Sequence, residues 1–236
     1  INAVGLENPG VEGMEEILDY LRRLGITTIV SITGRNIEEF LSLALKSHDC
    51  GVDAIELNLS CPHVKGMGLE LGRNRTFIVR LIRRIKDEID TPIFPKFGYS
   101  PQLLGILKDV QIAGANGIVL INTIRAMKID IWIKKPVLSN KFGGLSGPAI
   151  HPIAVSCIYE AYESLDIPII ASGGVWSWED VVEFMLAGAR AVQIGSVVGE
   201  RGLGVFREIT SQLIDYLKEN KYSHVSQIIG MAHNQV

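Results

Sequence analysis

Residues 54–63 read Ala-Ile-Glu-Leu-Asn-Leu-Ser-Cys-Pro-His, an apolar stretch that ends in an amide, a hydroxyl and a thiol. The apolar part predicts a strand over residues 54–59 that is buried on both faces, as strands of parallel sheets are. In parallel α/β folds, ligands bind where strands end and loops begin, so Asn58, Ser60 and Cys61 would line a binding crevice. The other interpretation is a buried structural thiol beside a turn-forming proline. This stretch alone does not decide between the two.

The rest of the chain alternates between short apolar strands and amphipathic helices. Strands are predicted near residues 27–33, 54–59, 93–97, 117–121, 168–172 and 191–195, and helices near residues 36–48, 73–89, 101–113, 152–164, 177–187 and 203–220. Such alternation is typical of a parallel α/β sheet. We therefore predict an α/β fold, a (β/α)8 TIM barrel of roughly 250 residues, as a single domain over residues 1–236. Since six strands are visible and the chain begins with Ile1, we expect the first two barrel strands to precede residue 1.

Composition argues against several classes of function. A formal net charge of -3 gives no electrostatic reason to expect nucleic acid or an anionic membrane as a partner. Only three cysteines occur, without a C-x-x-C pair, so the chain encodes neither a zinc site nor an iron–sulfur cluster. No apolar run approaches the roughly 20 residues that span a bilayer. These features predict a cytoplasmic protein with no bound metal.

One connection is too long for an ordinary loop. Residues 126–144 separate the fourth strand from the next helix, and long insertions in such folds usually serve function. We expect this insertion to cover the active site.

Polar groups also follow the other strands. Lys96 lies within an otherwise apolar strand, and because an unpaired buried ammonium is unfavourable, we expect a buried anionic partner. Asn122 and Thr123 end the fourth strand. Asparagine offers both a donor and an acceptor, so Asn2, Asn58 and Asn122 together would suit a flat ring edged with N–H and C=O groups, such as a pyrimidine or an isoalloxazine.

Glycines follow the last two strands, at Gly173-Gly174 and at Gly195 before Ser196. Glycine lets backbone N–H groups approach an anion closely, and the corresponding loops of barrel enzymes frequently bind phosphate. Residues 142–149, Phe-Gly-Gly-Leu-Ser-Gly-Pro-Ala, supply further backbone donors. The alternative is that these glycines only form tight turns, in a chain that has 24 of them.

Together these motifs resemble those of the class 1 dihydroorotate dehydrogenases, and most of all the class 1B catalytic subunit. The matching segments, in family order, are residues 1–10, 56–64, 96, 121–123, 143–152, 172–175 and 193–196. The resemblance implies FMN-dependent oxidation of dihydroorotate to orotate in de novo pyrimidine biosynthesis. It also implies a homodimer or heterotetramer with an electron-transfer subunit that carries FAD and a [2Fe-2S] cluster and passes electrons to NAD.

The resemblance assigns roles to individual residues. Cys61 matches the catalytic base, which removes a proton from C5 of dihydroorotate while hydride leaves C6 for N5 of FMN. The implied FMN-binding residues are Asn58, Lys96, Ile121, Gly147, Gly173, Gly174, Gly195 and Ser196, the last four around the phosphate. The implied substrate-binding residues are Asn2, Ala3, Val4, Gly5, Leu6, Asn58, His63, Asn122 and Thr123.

Two features depart from the family pattern. His63 stands where the family usually has an asparagine, and imidazole lacks the amide's paired donor and acceptor. The family's first two strands, with a second active-site lysine, would precede Ile1; a chain that truly began there would, we expect, neither retain FMN nor turn over. Two alternatives therefore stay open: a related FMN barrel oxidoreductase acting on another pyrimidine-like ring, or a degenerate phosphate-binding barrel without catalysis.

Overall fold

The computed structural model describes residues 1–5, 8, 10–60 and 71–234. These residues form two compact units, one of residues 3–118 and the other of residues 1–2 with 119–236. Parallel strands alternate with helices in the chain, so the predicted α/β class is confirmed. The single domain over residues 1–236 stays a prediction.

The unit of residues 3–118 is built on three parallel strands. They are β1 (Ile29–Ile32), β2 (Ala54–Asn58) and β3 (Ile93–Phe97), with β2 in the centre. Its helices are α1 (Met14–Arg23), α2 (Ile37–Asp49), α3 (Arg75–Lys86) and α4 (Leu103–Ile112). Strand β2 is buried along nearly its whole length, and its last residue, Asn58, is half-buried.

Local sequence explains where two helices of this unit, α2 and α3, begin. The side chain of Asn36 accepts a hydrogen bond from the backbone N–H of Glu39 at 2.8 Å, and Asn74 does the same for Phe77 at 3.0 Å. Asparagine at these positions satisfies an amide that the first helical turn leaves unpaired. Helix α3 then buries Ile78, Leu81, Ile82 and Ile85 at helical spacing and exposes the arginines between them, at positions 80, 83 and 84. The basic cluster of this helix is therefore a solvated face.

The other unit contains the remaining elements. Its strands are β4 (Ile118–Leu120), which begins at the boundary, β5 (Ile124–Ala126), β6 (Ile129–Asp130), β7 (Lys135–Pro136), β8 (Gly143–Leu145), β9 (Ile169–Ser172) and β10 (Ala191–Gln193). Its helices are α5 (His151–Ser164), α6 (Trp178–Leu186), α7 (Ser196–Arg201) and α8 (Gly204–Glu219). Strands β4, β9 and β10 are neighbours in that order, and β9 and β10 run parallel.

The insertion of residues 126–144 has structure of its own. Strands β6 and β7 form a short antiparallel hairpin, and β8 returns to pair with β5. The Asp130 carboxylate accepts hydrogen bonds from the backbone N–H groups of Trp132 and Ile133 at 2.8 and 2.9 Å. The bond from Ile133 and then that from Trp132 lower the pKa of Asp130 below its ordinary value. That the insertion covers the active site stays a prediction.

Each of the six predicted strands and six predicted helices lies within a few residues of an observed element. The pattern did not predict α1, α7 or the four short strands of the two antiparallel pairs. Helix α7 has six residues, too few to show a period. Helix α1 has apolar residues at helical spacing, at Met14, Ile17, Leu18 and Leu21, and this signal was overlooked.

Candidate active site

Two polar side chains predicted at strand ends lie opposite each other in the unit of residues 3–118. Asn58 ends β2, and Lys96 is its partner in the parallel register with β3. The backbone N–H of Leu59 donates to the carbonyl oxygen of Lys96 at 3.0 Å, which continues the pairing of the two strands. Strand register therefore fixes the relative position of the amide and the ammonium.

Lys96 has a buried anionic partner, as the sequence predicted. Its Nζ lies 3.6 Å from Oε2 of Glu56, and the two side chains are 15% and 5% exposed. The other carboxylate oxygen of Glu56 accepts a hydrogen bond from Oγ of Ser31 at 2.8 Å. A charged group so far removed from water requires an opposite charge and hydrogen bonds, and the Glu56 carboxylate has both.

The Asn58 amide has a defined orientation. Its Oδ1 accepts hydrogen bonds from the backbone N–H of Ser60 at 3.2 Å and from Oγ of Ser60 at 2.8 Å. A backbone N–H can only donate, so the oxygen of the amide must face Ser60. No hydrogen bond from its NH2 group to a described residue is found. Asn58 therefore presents hydrogen-bond donors to a ligand, and not a donor together with an acceptor.

Three predicted site residues, Leu6, Cys61 and His63, lie outside the described residues. Of the neighbouring predicted substrate segment, Val4 and Gly5 are exposed and Ala3 is half-buried.

In the other unit, the structure brings together Asn2, Thr123 and Gly144. Asn2 and Gly144 exchange two backbone hydrogen bonds, of 3.0 and 2.8 Å. The Asn2 amide also donates to Oγ of Ser146 at 3.3 Å. A Cβ on Gly144 would overlap the side chain of Thr123, so only glycine allows this approach. Asn122, the residue before Thr123, accepts a hydrogen bond through its Oδ1 from the backbone N–H of Thr123 at 2.8 Å.

The predicted phosphate loop packs closely against the start of α5. Gly173 and Gly174 have φ of 117° and 82°, a region that favours glycine. A Cβ on Gly174 would lie 2.6 Å from the backbone nitrogen of His151, and one on Gly173 would lie 3.3 Å from the carbonyl oxygen of Ile121. Ile121 is in turn joined to the same strand end, because its N–H donates to the carbonyl of Ser172 at 2.7 Å.

Two further glycines of the predicted cofactor site, Gly195 and Gly147, have open surroundings. A Cβ on Gly195 would have no atom within 4 Å, and the same holds for Gly147, whose φ is 83°. Among the described residues, no hydrogen bond is found in which the amides of Gly174 or Gly195 donate. Backbone N–H groups of glycines that have no acceptor within the protein can bind an anion such as phosphate.

Comparison with known proteins identifies the family. The family model for dihydroorotate dehydrogenase matches residues 1–217, which is most of the chain. The chain belongs to the dihydroorotate dehydrogenase family. The predicted resemblance is thus confirmed, and the chain is a flavin-dependent oxidoreductase by membership of that family.

Individual relatives agree with this assignment. The catalytic subunit of dihydroorotate dehydrogenase B (NAD(+)) from Pyrococcus abyssi is 47% identical over 98% of the chain and 77% of its own length. The subunit of the same name from Methanocaldococcus jannaschii is 44% identical over 99% of the chain and 77% of its own length. A relative from Aeropyrum pernix, 44% identical over 99% of the chain and 76% of its own length, is named provisionally as dihydroorotate dehydrogenase A (fumarate). In the described residues of this family member, no helix is long and apolar enough to cross a membrane.

Sequence reasoning missed Asp180, which holds the loop between the phosphate glycines and α6. Its Oδ2 accepts hydrogen bonds from the backbone N–H groups of Trp176 and Ser177 at 2.7 and 2.9 Å. Those two amides are therefore already used and are not available to a phosphate in this dihydroorotate dehydrogenase family member. The signal was present in the sequence, since Ser177-x-x-Asp180 is a capping pattern.

His151, also missed, lies beside the same carboxylates. Its Nε2 is 3.0 Å from Oε2 of Glu183 and 3.5 Å from Oδ1 of Asp180. Its Nδ1 is buried without a hydrogen-bond partner among the described residues. Because a buried N–H without an acceptor is more costly than an unused lone pair, the proton belongs on Nε2, which donates to Glu183. His151 thus links the start of α5 to α6 next to the glycine loop.

Proposed function

We propose that this chain oxidises dihydroorotate to orotate, the reaction for which its family is named, with FMN as its flavin. The observation that carries the proposal is the Lys96–Glu56 pair beside the oriented amide of Asn58, in a chain 47% identical to a catalytic subunit of that name. A buried ammonium next to hydrogen-bond donors suits a flat ring on which negative charge develops.

Cys61 is the proposed base. Thiols have an ordinary pKa of roughly 8.5, so the loop around Cys61 must favour the thiolate for proton removal from C5 near neutral pH. Asn58 holds the ring through its NH2 group, and Lys96 supplies positive charge. FMN, when bound, would accept the hydride that leaves C6 of dihydroorotate.

The phosphate end of FMN is assigned to Gly173, Gly174, Gly195 and Ser196, with Ile121 and Gly147 along the rest of the cofactor. Support comes from the unused amides of Gly174 and Gly195 and from the space that a Cβ on Gly195 would occupy. Since Asp180 already binds the amides of Trp176 and Ser177, the phosphate depends on the glycine amides instead of the start of α6.

Substrate contacts are assigned to residues 2–6, His63, Asn122 and Thr123. The contacts among Asn2, Thr123 and Gly144 support a common location for part of this set. His63 in place of an asparagine favours the second candidate function, a related flavin oxidoreductase that acts on another pyrimidine-like ring.

The direct test is an anaerobic visible spectrum of the protein with FMN. We expect dihydroorotate to bleach the flavin band, Cys61→Ala to retain the flavin and lose bleaching, and the matched variant Cys157→Ala to bleach normally. Bound flavin that dihydroorotate does not bleach would favour the second candidate. Retained bleaching in Cys61→Ala would remove Cys61 from the role of base.

The name of two relatives, catalytic subunit, supports a wider assembly with a further subunit. From the family resemblance, we propose that this partner is an electron-transfer subunit with FAD and a [2Fe-2S] cluster. We place this assembly in the cytoplasm, as a homodimer of the chain or a heterotetramer with the partner.

A further inference from the structure

A chain of three polar side chains crosses the three-stranded sheet of the unit of residues 3–118, with Glu56 buried in the middle, Lys96 half-buried and Ser31 exposed. Ser31 on β1 donates to Oε1 of Glu56 on β2, and Oε2 of Glu56 lies 3.6 Å from Nζ of Lys96 on β3. Each carboxylate oxygen thus faces a different partner. Glu56 is itself buried, with only 4% of its surface exposed.

We propose that Glu56 is a positioning residue for the flavin: it fixes where the Lys96 ammonium lies and offsets part of its positive charge. This inference rests on the proposed binding of FMN beside Lys96. Ser31 fixes one oxygen of the carboxylate, so the other is held in place for the ammonium. Lysine is otherwise a flexible point charge on a four-carbon stem, and its position depends on what its nitrogen contacts.

Stability alone does not account for this pair. Removing two charges from water is unfavourable, and well-packed apolar residues of similar volume often replace a buried ion pair without loss of stability. Position 56 is buried within β2, so an apolar residue there would suit the strand. A charge at this position is better explained by an effect on Lys96.

The sign of that effect follows from simple electrostatics. Negative charge develops on the flavin when it is reduced, and a nearby ammonium stabilises that charge. The Glu56 carboxylate opposes this stabilisation, because it lies next to the same ammonium. Removal of the carboxylate charge should therefore favour reduced FMN over oxidised FMN.

Glu56→Gln tests this sign, because glutamine keeps an oxygen acceptor for Ser31 and loses the charge. We expect the ratio of the affinities for reduced and oxidised FMN to rise about tenfold, which for a two-electron couple is a positive shift of about 30 mV in the flavin midpoint potential. The measurement is an anaerobic titration against a redox dye. The control is Glu88→Gln, which removes an exposed carboxylate paired with Arg84 and should leave the potential unchanged.

Whether Glu56 acts through Lys96 is tested by repeating the substitution in Lys96→Gln. If Glu56 acts in part through the lysine, Glu56→Gln should change the potential less in that background. An equal shift in both backgrounds would mean that Glu56 acts on the flavin directly, which would overturn the positioning role.

The outcomes separate this inference from the proposed function. If the unsubstituted protein neither binds FMN nor is bleached by dihydroorotate, the proposed function fails. If it does both, and folded Glu56→Gln shows an unchanged potential, only the role of Glu56 fails; a more negative potential would refute the charge offset and leave the positioning of the ammonium. If Glu56→Gln does not fold, Glu56→Asp is used instead. Its carboxylate is one methylene further from Lys96, so we expect a smaller positive shift in the potential. An unchanged potential in folded Glu56→Asp would refute the role of Glu56.

Discussion

At the scale of single residues, the orientation of Asn58 decides which ligand atoms it can bind. The amide oxygen of Asn58 accepts two hydrogen bonds from Ser60, so only the NH2 group can contact a ligand. We predict that Asn58→Asp weakens orotate binding by about 2 kcal/mol, since an anionic oxygen replaces the donor while the contacts to Ser60 persist. The measurement is a spectral titration of the FMN-loaded protein with orotate.

Ser60→Ala is the matched control for that change. It removes the hydroxyl donor but keeps the backbone donor to Oδ1, so we expect a loss of only about threefold in affinity. Asn58→Asp protein that binds orotate like the unsubstituted protein would show that the NH2 group does not contact the ligand.

Cys157, unlike the proposed base Cys61, is a structural thiol. Burial, and after it the charge of Glu160, raises the pKa of Cys157 from 9.0 to about 11. The native state therefore keeps a proton that the unfolded chain releases, so the contribution of Cys157 to stability is complete below pH 9 and is lost as the pH rises towards 11.

We predict that Cys157→Ala flattens the alkaline loss of stability, measured as the free energy of unfolding in urea at pH 8 and at pH 10.5. Cys50→Ala is the control, because Cys50 is only half-buried. The same pH slope in Cys157→Ala and in the unsubstituted protein would contradict the prediction.

At the scale of elements, the glycine loops after β9 and β10 differ in what surrounds them. Gly174 lies against the backbone of His151 with a positive φ, whereas Gly195 faces open space. We predict that Gly174→Ala destabilises the protein by more than about 1 kcal/mol, because the methyl group meets backbone and the conformation is strained. The Gly195→Ala variant should be as stable as the unsubstituted protein but bind FMN more weakly, because the added methyl group would lie where the phosphate approaches.

Thermal unfolding of the FMN-free protein and FMN titration together separate the two effects. Gly105→Ala is the control, since Gly105 is within α4 and a Cβ there would meet no atom within 4 Å. Unchanged FMN affinity in Gly195→Ala would place the phosphate elsewhere.

At the scale of the whole molecule, the sequence predicted what depends on local pattern. The buried strands stand out because both of their faces are apolar, and Lys96 stood out because it interrupts one of them. The identity of its partner was not predictable in the same way, because it depends on the register of β2 against β3, which distant parts of the chain set. Glu56 interrupts its own strand as visibly as Lys96 does, and that signal was overlooked. The orientation of Asn58 depends on where the backbone and hydroxyl of Ser60 lie. The two-residue strands β6 and β7 are too short to show a period.

The choice of electron acceptor is also a property of the whole molecule. The name of one relative gives NAD(+) as the acceptor and the name of another gives fumarate. The sequence has no G-x-G-x-x-G fingerprint for a dinucleotide and only three cysteines, too few for a four-cysteine cluster site. We therefore predict that the FMN-loaded chain, given dihydroorotate, reduces an artificial dye without help but forms NADH only when a second subunit is added. Anaerobic rates with dye, NAD+ and fumarate test this, with Cys61→Ala protein as the background. NADH formation by the chain alone would contradict the need for a partner, and rapid oxidation of the reduced flavin by fumarate would assign the chain to the fumarate type instead.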